Sequence, residues 1–265
     1  MIPVTIVTGA SAGIGAELAR AFARHGHAIV LVARREDRLT ALAAEIAAAG
    51  GPKVFALAID LGRPDALTQI EAALAARGLE PQFVVNNAGF GLIGPAAALD
   101  RGEQLAMVDL NVRLLTDLSL AFIESLARNR GGVLNVASVA AFLPGPGMAV
   151  YYASKAYVLS FTEALHRELS AQGVRVSCLC PGPVATEFSA RAGSIEGGSP
   201  DFLTVSAADV AKAGYDGLMR GKRVIVPGIA NKLATFLIRI TPRAWQLEIL
   251  AARQKRRIAS PAPNT

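Results

Sequence analysis

Short runs of Val, Ile, Leu and Ala alternate along the chain with longer stretches whose apolar residues recur every three or four positions. The runs fall at 4–8, 28–33, 54–59, 83–86, 132–137, 174–180 and 223–226. Most are continuously apolar rather than alternating, the pattern of parallel strands covered on both faces. Helical periodicity fills 13–25, 35–49, 63–77, 103–127, 150–172 and 207–220. Ser206 with Asp209 three residues on predicts a capping box at the start of the last of these. Strict alternation of this kind implies right-handed crossovers and an α/β, doubly wound sheet, mostly or wholly parallel, of about seven strands. No Pro/Gly/Ser-rich linker divides residues 1–230, so they are read as a single domain. The stretch 186–204, with Gly193, Gly197, Gly198 and Pro200, reads as a loop and a candidate lid.

Residues 231–265 form a separate extension. Leu233, Phe236, Leu237 and Ile240 follow i, i+3, i+4, i+7 spacing and predict an amphipathic helix. Thr241-Pro242 then reads as the cap and first residue of another helix carrying Trp245, Ile249 and Arg253, with 260–265 frayed. This extension holds seven basic residues against the single acid Glu248, which accounts for the whole net charge of +6. The body is therefore neutral, and nucleic acid is not an expected partner. A basic amphipathic helix can lie on an anionic membrane. The reading preferred from sequence is that its apolar face packs on the body or a neighbouring subunit.

Composition narrows the chemistry. At 52% hydrophobic and 18% charged residues the chain is too apolar to be disordered. The only cysteines, Cys178 and Cys180, lie in an apolar run and read as reduced core residues. No metal site is expected, because His25, His27 and His166 have no His or Cys partner at usable spacing. The apolar opening, residues 1–8, is too short for a signal core, and a soluble, cytoplasmic protein is expected.

The first run ends in Thr8-Gly9-Ala10-Ser11-Ala12-Gly13-Ile14-Gly15 and enters a helix, a strand–turn–helix able to meet a pyrophosphate with backbone N–H groups. The spacing departs from the general G-x-G-x-x-G. It resembles the T-G-x-x-x-G-x-G of the short-chain dehydrogenase/reductase family. Further matches follow in order: Asn86-Asn87-Ala88-Gly89, Asn111, Ser138, Tyr151-x-x-x-Lys155, and Pro181-Gly182 with Thr186. The resemblance covers residues 4 to about 228 and implies a Rossmann-type fold.

It also implies a nicotinamide cofactor. The positions carried over are Gly9, Ser11, Gly13, Ile14 and Gly15 in the loop, Asp60 at the adenine, and Asn87, Ala88 and Gly89. Tyr151, Lys155, Pro181, Gly182, Val184 and Thr186 complete that set. The residue after the second strand decides the type of cofactor. Where an NAD site has an acid for the ribose 2′-OH, this chain has Ala33 followed by Arg34 and Arg35. Guanidinium groups suit a 2′-phosphate, so NADP is expected over NAD. The basic residue that the family often carries inside the loop is replaced by Ala12.

The resemblance assigns catalysis to Asn111, Ser138, Tyr151 and Lys155. Tyr151 and Lys155, four residues apart, share a helical face, and an ammonium there favours the phenolate. Ser138 is expected to donate to the substrate oxygen, and Asn111 to hold a water that relays protons to Lys155. Phe90, Leu92, Ile93, Phe142, Leu143, Met148, Phe188 and Phe202 suggest a small apolar carbonyl or alcohol as substrate. The leading reading is an NADP-dependent carbonyl reductase or alcohol dehydrogenase. A 3-oxoacyl-[acyl-carrier-protein] reductase and a non-catalytic NADP-binding regulator are the alternatives. Family members commonly form homodimers or homotetramers through the helices at 103–127 and 150–172, where Leu114, Leu115, Leu118, Phe122 and Leu126 offer apolar positions.

Overall fold

The computed structural model describes residues 1–184 and 201–259, the side chains of 201 and 253–259 excepted. Seven strands form one sheet: β1 (Ile2–Thr8), β2 (Ala28–Ala33), β3 (Val54–Ala58), β4 (Leu79–Asn86), β5 (Gly132–Val136), β6 (Arg175–Leu179) and β7 (Val224–Ile225). Their spatial order is β3-β2-β1-β4-β5-β6-β7 and every pairing is parallel. The winding reverses between β1 and β4, so the chain leaves their carboxyl ends in opposite directions and opens a crevice there.

Helices cover both faces. On one side α1 (Gly13–Arg24), α2 (Glu36–Ala48) and α8 (Ala207–Met219) bury Leu18, Phe22, Leu39 and Leu218 against the sheet. On the other, α3 (Ala66–Ala75), α5 (Leu115–Ala121), α6 (Ile123–Arg128) and α7 (Ala149–Leu169) contribute Ile70, Leu118, Leu126 and Leu165. With both faces closed, the inner strands have no solvent-facing side, which is why their sequences read as mostly apolar runs rather than alternating ones. Ser206 caps α8 as expected, accepting from the Asp209 N–H at 3.0 Å and donating to its carboxylate at 2.7 Å. Cys178 and Cys180 are free and buried.

Three expectations need correction. The helix expected over 103–127 is broken into α4 (Arg101–Val108), a π-helical stretch Asp109–Leu114, α5 and α6. A π turn leaves a wider backbone ring, and periodicity alone does not register it. Second, Leu114, Leu115, Leu118, Phe122 and Leu126 face the chain's own core and are all buried, so they are unavailable to a second subunit. The outward positions on these helices are Leu105, Val108, Leu120 and Tyr157.

The third correction concerns α9 (Ile229–Ile240) and α10 (Arg243–Ala259). The stripe Leu233, Phe236, Leu237 and Ile240 points away from the body. The face turned inward carries Asn231 and Thr235, and α10 turns Gln246 inward. These polar groups fit because backbone carbonyls receive them. Asn231 donates to Leu203 and Pro227 at 3.0 and 3.1 Å, and Gln246 donates to Ile238 and Thr241 at 2.8 Å each. Pro242, not Thr241, supplies the first carbonyl of α10, while the Thr241 hydroxyl donates back to Leu237.

Candidate active site

The β1–α1 turn and the turn after β4 are tied together by one hydroxyl. Thr8 Oγ1 donates to the Val85 carbonyl at 3.2 Å and accepts from the N–H groups of Asn87 and Ala88 at 3.0 and 3.1 Å. Asn87 returns its amide to the carbonyls of Thr8 and Gly9. Gly9 sits at φ +65°, which only glycine adopts cheaply. At Gly15 a β-carbon would lie 2.2 Å from the Gly9 carbonyl oxygen and 2.4 Å from the Asn87 amide nitrogen. Thr8 stands in the glycine-rich motif, but nothing in the motif's spacing singles out this bracing role.

These turns floor a cavity of about 1020 Å³ at the carboxyl ends of the strands. Gly9, Ser11, Gly13, Ile14 and Gly15 line it, as do Arg34, Arg35 and Asp60, Asn87, Ala88 and Gly89, and Pro181, Gly182 and Val184. Thr186, Phe188 and most of the expected lid lie outside the described residues. No side chain caps the first turn of α1, and its leading residues face the cavity. Arg34 and Arg35 are exposed at the rim, and Arg35 reaches across to the Ser11 hydroxyl at 3.0 Å. Asp60 accepts from the Gly62 N–H at 3.0 Å, so it shapes its own turn while facing the cavity.

Ser138, Tyr151 and Lys155 converge in the same cavity. Ser138 lies two residues past β5, where it accepts from the Ala140 N–H at 3.1 Å and contacts the Tyr151 phenol. Burial pushes the Tyr151 phenol up to about 12, a shift that the Ser138 contact partly offsets. Lys155 Nζ stands 5.9 Å from the Tyr151 ring centre and donates to the Val136 carbonyl at 2.8 Å. Burial lowers the Lys155 ammonium to about 8. Asn111, at the heart of the π-helical stretch, is fully buried. Its side chain is spent on the Phe90 backbone and the Ser154 hydroxyl, with bonds of 2.9–3.1 Å.

Beneath these residues lies a polar network that sequence reasoning missed. Asn86 donates to Asn135 and Ser119 at 2.9 and 3.0 Å, and Asn135 donates to Thr162 at 3.0 Å. It stitches β4 to β5, α5 and α7 under the site. All three amide donations converge on buried acceptors, while Asn86 Oδ1 is buried without a partner among the described residues. Also missed were Asn231, Ala234, Thr235, Ile238 and Leu250, which bring α9 and α10 into the cavity wall.

The Lys155 shift has a testable sign. Between about 8, its value in the folded protein, and its ordinary 10.5, the unfolded chain binds a proton that the native one does not. Stability from this group is therefore lost as pH falls through about 8 and restored as pH climbs toward 10.5. Relative to Lys155→Met, the protein is expected to gain stability over that window, by at most ~1.4 kcal/mol per pH unit. Urea melts of both proteins at several pH values measure this, and parallel pH profiles would contradict it.

A doubly wound sheet with a glycine-rich first turn and a Ser-Tyr-Lys group at its crevice defines a dinucleotide-fold oxidoreductase. Residues 3–196 match the short chain dehydrogenase family, and the chain belongs to it. It is an enzyme interconverting alcohols and carbonyls. Sulfoacetaldehyde reductase 2 of Chromohalobacter salexigens is 34% identical over 220 residues, which span 80% of this chain and 86% of that protein. A short-chain dehydrogenase from Sphingobium yanoikuyae, solved in complex with NADPH, is 32% identical with a TM-score of 0.78. That likeness covers 99% of this chain and 98% of the other. The bulky-bulky ketone specific alcohol dehydrogenase from Comamonas testosteroni is 27% identical with a TM-score of 0.74, covering 99% and 96%.

Proposed function

We propose that this chain is an NADP-dependent reductase of apolar ketones or aldehydes in which Tyr151 handles the proton. The observation that carries the reading is the convergence of Ser138, Tyr151 and Lys155 in one cavity with the Gly9–Gly15 loop and the two rim arginines. The cofactor fits the residues present. Gly15 leaves room for backbone where a β-carbon would collide, α1 offers an uncapped first turn to phosphate, and Arg34 and Arg35 suit a 2′-phosphate. When bound, NADPH supplies the hydride.

The chain's own residues manage the oxygen. A phenol held protonated by burial is the form that can give its proton to a carbonyl oxygen, and Tyr151 is so held. Ser138 donates to the same oxygen and orients it. Lys155, adjacent in the cavity, opposes the negative charge left on Tyr151. The apolar-substrate reading is supported by Phe90, Leu110, Leu143, Met148, Ile238 and Leu250 around the cavity. Among the described residues, the lysines and arginines that line it are Arg34, Arg35, Arg63 and Lys155. None of them stands on the α9–α10 wall, so among the described residues that wall adds no cation for a carboxylate or sulfonate. Residues 1–230 form the catalytic unit in this reading, and a homodimer or homotetramer is expected to assemble through outward positions such as Leu105 and Tyr157.

Fluorescence titration with NADPH and NADH, followed by turnover with a panel of aromatic and aliphatic ketones, tests this. Tighter NADPH binding is expected, with preference moving toward NADH in the Arg34→Asp/Arg35→Asp double variant. Equal affinity of the unaltered protein for both cofactors would refute the NADP reading.

A further inference from the structure

The last two helices present an uncovered apolar face. Leu233 is 58% exposed, Phe236 61%, Ile240 67% and Trp245 66%, with Leu237 and Ile249 exposed beside them. At about 100° per residue, the α9 members of this set lie opposite the buried Thr235 and Asn231, the latter tying the helix to the Leu203 and Pro227 carbonyls. This face is therefore not a loosely drawn core. Asn231 anchors the inward side of the helix, and its apolar side turns outward.

Cations border the stripe. Lys232 and Arg239 are exposed on one flank of α9, and Arg243 is exposed where α10 begins. Residues 231–265 hold seven basic side chains and one acid, while the rest of the chain is balanced. Among the described residues, no helix is long and apolar enough to cross a membrane. We propose that this face docks peripherally on an anionic lipid surface. Its apolar side chains enter the headgroup–acyl boundary and its cations meet the lipid phosphates. A second copy is the weaker occupant. Face-to-face docking would bring two sets of cations together, and the balanced body offers no net negative charge to receive them. The face points away from the cavity, so the proposal stands or falls independently of the substrate.

Trp245 is the only tryptophan in the chain, which makes its emission a direct probe. The full-length protein is titrated with phosphatidylcholine vesicles with and without phosphatidylglycerol, following Trp245 emission and co-sedimentation. Anionic vesicles are expected to shift the emission to the blue and pellet the protein. Binding should be at least about tenfold weaker to neutral vesicles or in high salt. The Leu233→Gln/Phe236→Gln variant, altered only at exposed positions, should bind anionic vesicles about tenfold more weakly with an unchanged thermal melt. No blue shift and no co-sedimentation with anionic vesicles at low salt would overturn the proposal. Light scattering that shows a dimer dissociated by the same variant would overturn it too, assigning the face to a second copy.

Discussion

Tyr151→Phe is expected to lower turnover by at least about a hundredfold while leaving NADPH affinity within about twofold of the unaltered protein. Positioned proton transfer contributes about 10²–10⁴-fold to such reactions, and the phenol is the group in contact with Ser138 that can supply it. The variant removes one hydroxyl and keeps the ring, so the packing of Tyr151 against Tyr152 persists. Ser138 also retains its bond from the Ala140 N–H. The loss should therefore fall on kcat rather than on folding. Steady-state kinetics beside a cofactor titration separate the two. A variant keeping more than about a tenth of the normal kcat, a barrier change under ~1.4 kcal/mol, would remove Tyr151 from the proton-donor role.

Gly15→Ala should be the most damaging single change to cofactor binding. The new methyl would sit 2.2 Å from the Gly9 carbonyl oxygen and 2.4 Å from Asn87 Nδ2, both parts of the turn-to-turn brace. Backbone must then move, and the loop loses its close approach to a pyrophosphate. A loss of at least about a hundredfold in NADPH affinity is expected, or roughly 2.7 kcal/mol. Calorimetric titration reads it directly, and a circular dichroism spectrum of the same sample reports whether the sheet survives. Unchanged affinity in a folded variant would mean that the cofactor does not lie on this loop.

Much of this was legible in the sequence because burial leaves a simple signature. A strand covered on both faces is mostly apolar, and 28–33 betrays itself on that ground alone, as 132–137 does apart from Asn135. Tyr151 and Lys155 could be paired from spacing, since a helix puts positions i and i+4 on one face. That the tail's apolar face turns away from its own body was not legible, for an equally physical reason. The pattern at 233, 236, 237 and 240 tells that the helix has two faces, but not which one meets protein. Asn231 seats the inward face through the Leu203 and Pro227 carbonyls, and Gln246 ties α10 to α9 through those of Ile238 and Thr241. Such partners carry no residue-type signal. The π turn around Asn111 escaped for the same reason, because an extra residue in a backbone ring leaves the apolar rhythm nearly intact.

The cavity is assembled from two parts of the chain with different freedoms to vary. The chemistry rests on turns locked to one another by Thr8 and Asn87 and on a helix seated over the Asn86–Asn135–Thr162 network. Ala234, Ile238 and Leu250, by contrast, arrive on helices that follow every strand of the sheet. Exchanging side chains on that wall reshapes the ligand space without disturbing the brace or the reacting groups. Natural drift and laboratory evolution alike thus have a place to explore new substrates while the hydride-transfer machinery stays intact.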